Sequence, residues 1–77
     1  MALFFFDTSG PGGAFQDEVG CDCAGSEPAR SLARRTLYDI AADTCPDADQ
    51  AAFTIRVRDL TGAEVYRATI ALTGVGS

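Results

Sequence analysis

The sequence predicts a small α+β domain in which one helix packs on a four-stranded sheet, in the order ββαββ. Three observations carry this reading. Phe53-Thr54-Ile55-Arg56-Val57-Arg58 alternates strictly between apolar and polar, and Glu64 to Leu72 repeats the pattern, as strands with one buried face do. Between residues 26 and 43 the apolar positions fall at helical spacing: Ala29, Ala33, Thr36, Leu37 and Ile40 share a stripe, with Leu32 at its edge. The chain opens on Leu3-Phe4-Phe5-Phe6, apolar on both faces of a strand, which demands a central position or a cover on the second face.

Each element follows from local chemistry. The first strand runs from Ala2 to Asp7 and gives way to Thr8-Ser9-Gly10-Pro11-Gly12-Gly13, whose glycines and proline predict a flexible loop over 8–13. Ala14-Phe15-Gln16-Asp17 resumes an extended run, closing a hairpin. Asp17-Glu18-Val19-Gly20 reads as a type I turn, with Asp bonding the backbone ahead of it and Gly accepting a positive φ. Ser26 is the expected N-cap, and Glu27 and Pro28 suit a first turn. Pro46 ends the helix at or before Cys45. The acidic connector from Asp47 to Gln50 leads into the alternating strand, and Asp59-Leu60-Thr61-Gly62 repeats the Asp-x-x-Gly turn. In the last strand Tyr66, Ala68, Ile70 and Leu72 point inward, and residues 73–77 form a flexible tail. One helix covers one sheet face, so the economical spatial order is 2-1-4-3 with the first and last strands central and parallel. That topology is β-grasp-like.

Seventy-seven residues make one domain, 1–77, and a chain this short buries only ~60% of the surface it exposes when unfolded. Association is a natural way to add buried area. The net charge is −5, with no His and no Lys, so all six cations are arginine. That field opposes nucleic-acid binding, which needs clustered cations, and the missing His removes the usual general base and commonest metal ligand. The N-terminus has no basic leader, and its apolar run is too short for a membrane span. With the odd set Cys21, Cys23 and Cys45, this gives a cytoplasmic expectation with reduced thiols.

The candidate chemistries fall short one by one. Cys21-x-Cys23 with Cys45 supplies three thiols where structural zinc takes four ligands, usually at wider spacing, and it is not the C-x-x-C redox motif. Gly10-Pro11-Gly12-Gly13 leads into a strand and has no Lys, so it is no phosphate loop. Asp43, Asp47 and Asp49 lack the glycine and closing glutamate of a calcium loop. Asp17 and Glu18 have no nucleophile or base near them in sequence. No enzyme, cofactor or metal is therefore expected.

An aromatic first strand (Phe4-Phe5-Phe6-Asp7), the Asp17-Glu18-x-Gly20 turn, the Glu27-Pro28-Ala29-Arg30 helix start and the hairpin Phe53-x-Ile55-x-Val57-x-Asp59-x-x-Gly62 occur together here. They resemble a family of short bacterial proteins known only as a domain of unknown function. The likeness covers nearly the whole chain, while Pro28 and the Cys21-x-Cys23 pair depart from the usual pattern. The resemblance implies a domain and no activity.

Two surface features remain. Tyr38 lies opposite the apolar stripe beside Arg34 and Arg35, an interface-like composition. Arg56, Arg58 and Arg67 point outward on the last hairpin, beside two of the four opening apolar residues. Alternation does not choose between Leu3/Phe5 and Phe4/Phe6; Phe4 and Phe6 are the candidate outward pair. Neither the 8–13 loop nor the tail is bulky enough to cover such a pair. The expected role is a non-enzymatic protein-interaction or accessory module working through Phe4, Phe6, Tyr38, Arg56, Arg58 and Arg67, with a protein partner or a second copy as a homodimer. The alternative is a single-stranded nucleic-acid or small-ligand binder using the outer sheet face, although the charge makes nucleic acid the lesser expectation.

Overall fold

The computed structural model describes residues 1–44 and 49–76. Strand β1 (Ala2–Gly10) is followed by two short strands, β2 (Gly13–Phe15) and β3 (Cys21–Cys23), then helix α1 (Ser26–Thr44) and the long hairpin β4 (Gln50–Arg58) and β5 (Glu64–Thr73). The sheet runs β2-β1-β4-β5, with β3 also on β1, and every pairing is antiparallel. One helix on an antiparallel sheet is the α+β architecture expected.

The strand order is not the expected one. The opening strand is indeed internal, but its neighbour is β4 rather than the last strand. No parallel pair exists in this sheet, so the 2-1-4-3 order and the β-grasp-like topology are corrected. Burial explains the outcome. Phe53, Ile55 and Val57 of β4 are buried, while Tyr66, Ala68 and Ile70 on the same face of β5 are half-exposed. The strand with the larger buried set takes the internal place, and β5 is left at the edge. Asp7 adds to this, because β4 sets Arg56 directly opposite it with Arg58 two residues on.

The loop expected over 8–13 is mostly strand. β1 continues to Gly10 because Thr8 and Ser9 pair with Ile55 and Thr54 of β4 and with Phe15 and Ala14 of β2. Gly10 is there for space, since a Cβ would lie 2.9 Å from the Phe53 ring. Only Pro11 and Gly12 form the turn. The return arm is split: Phe15 faces Thr8 and Cys21 faces Phe4, so Gln16–Gly20 stands opposite only Phe5–Asp7 and must bulge.

The helix starts one residue earlier in its bonding than expected. Ala29 donates to the Gly25 carbonyl at 3.2 Å, which makes Gly25 the N-cap and puts Pro28 in the third position, where no N–H is needed. Ala29, Ala33 and Leu37 are buried and Leu32 and Ile40 pack at the margin, as the stripe predicts. Phe4, Cys23, Phe53, Ile55 and Val57 complete the core from the sheet. Cys45, Asp47 and Pro46, the expected helix terminator, lie outside the described residues. Among the described residues no helix is long and apolar enough to cross a membrane.

Candidate functional site

The strand period assigns the opening residues to faces. Phe4 is 7% exposed and Phe6 packs beside it against the core, so both face the helix. Leu3, Phe5, Asp7 and Ser9 point the other way. Phe4 and Phe6 are therefore not the outward pair: they belong to the helix-side core, where packing rather than a partner accounts for them. The remaining outward pair is covered from within, by a segment sequence reasoning passed over. The Asp17–Gly20 bulge lies on Leu3 and Phe5: a Cβ at Gly20 would be 3.0 Å from Leu3 and 3.1 Å from Phe5. Arg58 lies over the Phe5 ring at 5.1 Å.

What holds the bulge is a paired network around Asp7, which is only 9% exposed. Arg58 forks onto Asp7, with Nε 2.6 Å from Oδ2 and Nη2 3.0 Å from Oδ1. Its Nη2 also donates to the Asp17 carbonyl at 3.0 Å, and Arg56 reaches Asp7 at 3.3 Å. The Asp17 N–H donates to Asp7 Oδ1 at 3.0 Å. The Asp17 carboxylate in turn accepts from the backbone of Phe6 at 3.1 Å and of Val19 and Gly20 at 3.0 Å each. Asp17-x-x-Gly20 is thus a turn and also a strap across the sheet. Arg67 pairs with Glu64 at 2.7 Å. Arg56, Arg58 and Arg67 do come together on the outer face, but Asp7, Asp17 and Glu64 stand among them, so the patch is locally balanced. The signal available in the sequence was Asp7 itself, a charge ending an apolar strand.

The Arg58 fork holds the Asp7 carboxyl at about 2, below the usual 3.8, against the opposing effect of burial and with help from the Asp17 N–H and Arg56. Asp17 is lowered as well, chiefly by the Gly20 N–H. A carboxylate whose pKa is lower in the fold than in the unfolded chain stabilises the fold fully above its unfolded pKa and loses that contribution as pH falls through its folded value. For Asp7 the contribution is on the order of 2 kcal/mol. The urea midpoint is therefore expected to hold between pH 7 and 5 and to drop steeply toward pH 2; an unchanged midpoint at pH 2.5 would contradict the network.

Gly20 gives a second expectation. Its φ is +82° and its neighbours are close, whereas Gly62 has a similar φ of +90° with open space around it. Gly62→Ala should cost ~1–2 kcal/mol for the left-handed backbone alone, and Gly20→Ala more than that. Equal losses in melting experiments would mean that the bulge does not press on Leu3 and Phe5.

Cys23 is a free thiol in the core, where burial pushes its pKa up, and Cys21 is a free thiol on the surface. Among the described residues no cluster of His, Cys, Asp and Glu has the geometry of a metal site.

The least protected part of the sheet is the β5 edge. On the opposite side the edge is blunted by two three-residue strands and a bulge. β5 is ten residues long, contains no Pro or Lys, and among the described residues nothing pairs with its outer side. Tyr66 lies at its start, with Arg30 over its ring at 5.5 Å and Arg34 donating to its hydroxyl at 3.5 Å. Tyr38, 67% exposed, continues this helix flank at four-residue spacing and borders a notch with Leu37, Tyr66, Ala68 and Ile70. Leu72 is 48% exposed at the far end of the strand. Of the residues singled out from sequence, Arg67 lies on this edge strand, paired with Glu64 on the outer face, and Tyr38 flanks it on the helix side.

The chain finds no match among curated proteins and none among solved structures. A family model described as "Domain of unknown function (DUF6894)" matches residues 3–71, from the second residue of β1 to two residues short of the end of β5, so the chain belongs to the DUF6894 family.

Proposed function

We propose that the protein is a small non-enzymatic interaction or accessory module whose working surface is the free edge of β5 with the tyrosines beside it. The observation that carries this is the contrast between the two sheet edges. One is shortened and bulged in the way that prevents strand addition, and the other offers ten residues of strand to a partner. A protein segment that adds a strand would gain main-chain hydrogen bonds, and Tyr38 and Tyr66 would supply side-chain contacts above it. The balanced charges around Arg56, Arg58 and Arg67 leave little for a phosphate backbone and favour a protein partner.

A benzophenone amino acid in place of Tyr38 tests this in cells. A discrete protein adduct from position 38, and none from position 22 on the blunted edge, is the expected result. Nucleic-acid adducts, or none from position 38, would contradict it. The alternative ligand-binding reading draws on an open groove of about 450 Å³ between β2 and the outer face, with the exposed Phe15 in its wall beside Thr54 and Arg67.

A further inference from the structure

We infer that the segment added to the β5 edge is an acidic strand, which sets two carboxylates against Arg30 and Arg34 and an apolar side chain against Tyr38. This rests on the reading of that edge as the working surface, and three features of the molecule select the chemistry of the occupant.

The first is charge. The helix flank over β5 carries Arg30 and Arg34, while Asp39 and Asp43 fall on the opposite flank. The arginines of the sheet are answered from within: Arg56 and Arg58 by Asp7, and Arg67 by Glu64. On the helix flank the pairing is slight. Arg30 has Glu27 at 3.9 Å, an exposed contact of little strength. Arg34 makes no ion pair among the described residues and rests on the Tyr66 hydroxyl at 3.5 Å. That bond uses the tyrosine oxygen as acceptor and leaves its O–H to donate. The corner of Arg30, Arg34 and Tyr66 is thus rich in donors, although the chain as a whole carries −5. An anionic acceptor is the group that answers it.

The second is the main chain. β5 presents a row of N–H and C=O groups along its outer side, and another peptide backbone pairs such a row in register. A nucleic acid would meet the cations and leave the row unpaired. The anion therefore belongs to a protein strand, as Asp or Glu.

The third is spacing. Arg30, Arg34 and Tyr38 follow one another at four-residue intervals, ~6 Å of helix each. Residues on one face of a strand recur every ~6.8 Å. The helix also advances with β5, since Arg30 lies over the Tyr66 ring at 5.5 Å and Leu37 and Tyr38 border a notch with Ala68 and Ile70. Three alternate residues of an added strand therefore fall beside Arg30, Arg34 and Tyr38 in turn. The two nearest the arginines are acidic. The third is apolar, because that end of β5 offers Ile70 and the half-exposed Leu72. Every pair in the sheet is antiparallel, so the added strand reads apolar-x-acidic-x-acidic in its own chain order.

The probe is a labelled nonapeptide of threonines with one leucine and two glutamates in that pattern, read by fluorescence anisotropy. It should bind the wild type. Arg34→Glu, at an exposed helix position, should weaken binding roughly tenfold or more with an unchanged circular dichroism spectrum. Arg35→Glu changes the net charge equally on the face turned away from the sheet, and should leave the affinity within about twofold. A peptide with lysines for the glutamates should bind the wild type poorly and gain on Arg34→Glu, an exchange that a merely structural role of Arg34 would not produce. No binding of the glutamate peptide, or equal losses from Arg34→Glu and Arg35→Glu, would overturn the acidic strand. Tighter binding of a single-stranded oligonucleotide, lost on Arg34→Glu, would overturn it too. A discrete protein adduct from position 38 that forms equally well with Arg34→Glu, or an adduct to a second copy of this chain, would overturn this inference and leave the interaction module standing. The absence of any protein adduct would remove both.

Discussion

Asp7→Ala is expected to remove ~3–5 kcal/mol of stability, the usual cost of taking one partner from a buried ion pair. A chain of this length has about 4–11 kcal/mol in total, so the variant should be mostly or wholly unfolded at room temperature. The loss has a specific origin. Arg58 would keep only the Asp17 carbonyl, and the Asp17 N–H would lose its acceptor, releasing the bulge that covers Leu3 and Phe5. The charge left behind is the main penalty, so Asp7→Ala combined with Arg58→Leu should be more stable than Asp7→Ala alone. Urea titrations of the three proteins check this. A single-variant loss under ~1 kcal/mol would mean that water already shares the pair.

Leu37→Ala should cost ~2–5 kcal/mol. Leu37 is 3% exposed, and the other buried residues of the helix are Ala29 and Ala33. Small side chains bring the helix close to β4 and leave Leu37 as its one large fully buried contact. Its removal leaves a hole that neighbours without side-chain length cannot fill. A melting temperature within a degree or two of wild type would mean the helix packs on another face.

The elements were legible in the sequence because their signals are local. The stripe through Ala33 and Leu37, the alternation from Phe53 to Val57 and the two Asp-x-x-Gly turns each depend on a few neighbouring residues. The Asp59 carboxylate does bond the N–H groups of Thr61 and Ala63, and Gly62 has the positive φ expected. What the sequence hid is settled by contacts between distant residues. Thr8-Ser9-Gly10 has loop composition and becomes strand because β2 and β4 flank it, with Gly10 making room for Phe53. The three residues of β3 carry no strand signal of their own and pair only because β1 offers an edge. The order of the last two strands depends on comparing their burial, which alternation does not reveal. For the candidate surface, Tyr38 was visible as an exposed aromatic on a basic helix face. The free edge was not, since which strand lies outermost is a property of the whole sheet.

Amide exchange along β5 reports whether a partner strand occupies its outer edge. In an edge strand alternate N–H groups point to the neighbour and to solvent. If β5 is the association surface, the solvent-side amides between Val65 and Thr73 should be protected when the protein captured at position 38 is bound and exchange freely in the chain alone. Rapid exchange of that alternate set with the captured protein bound would contradict this reading.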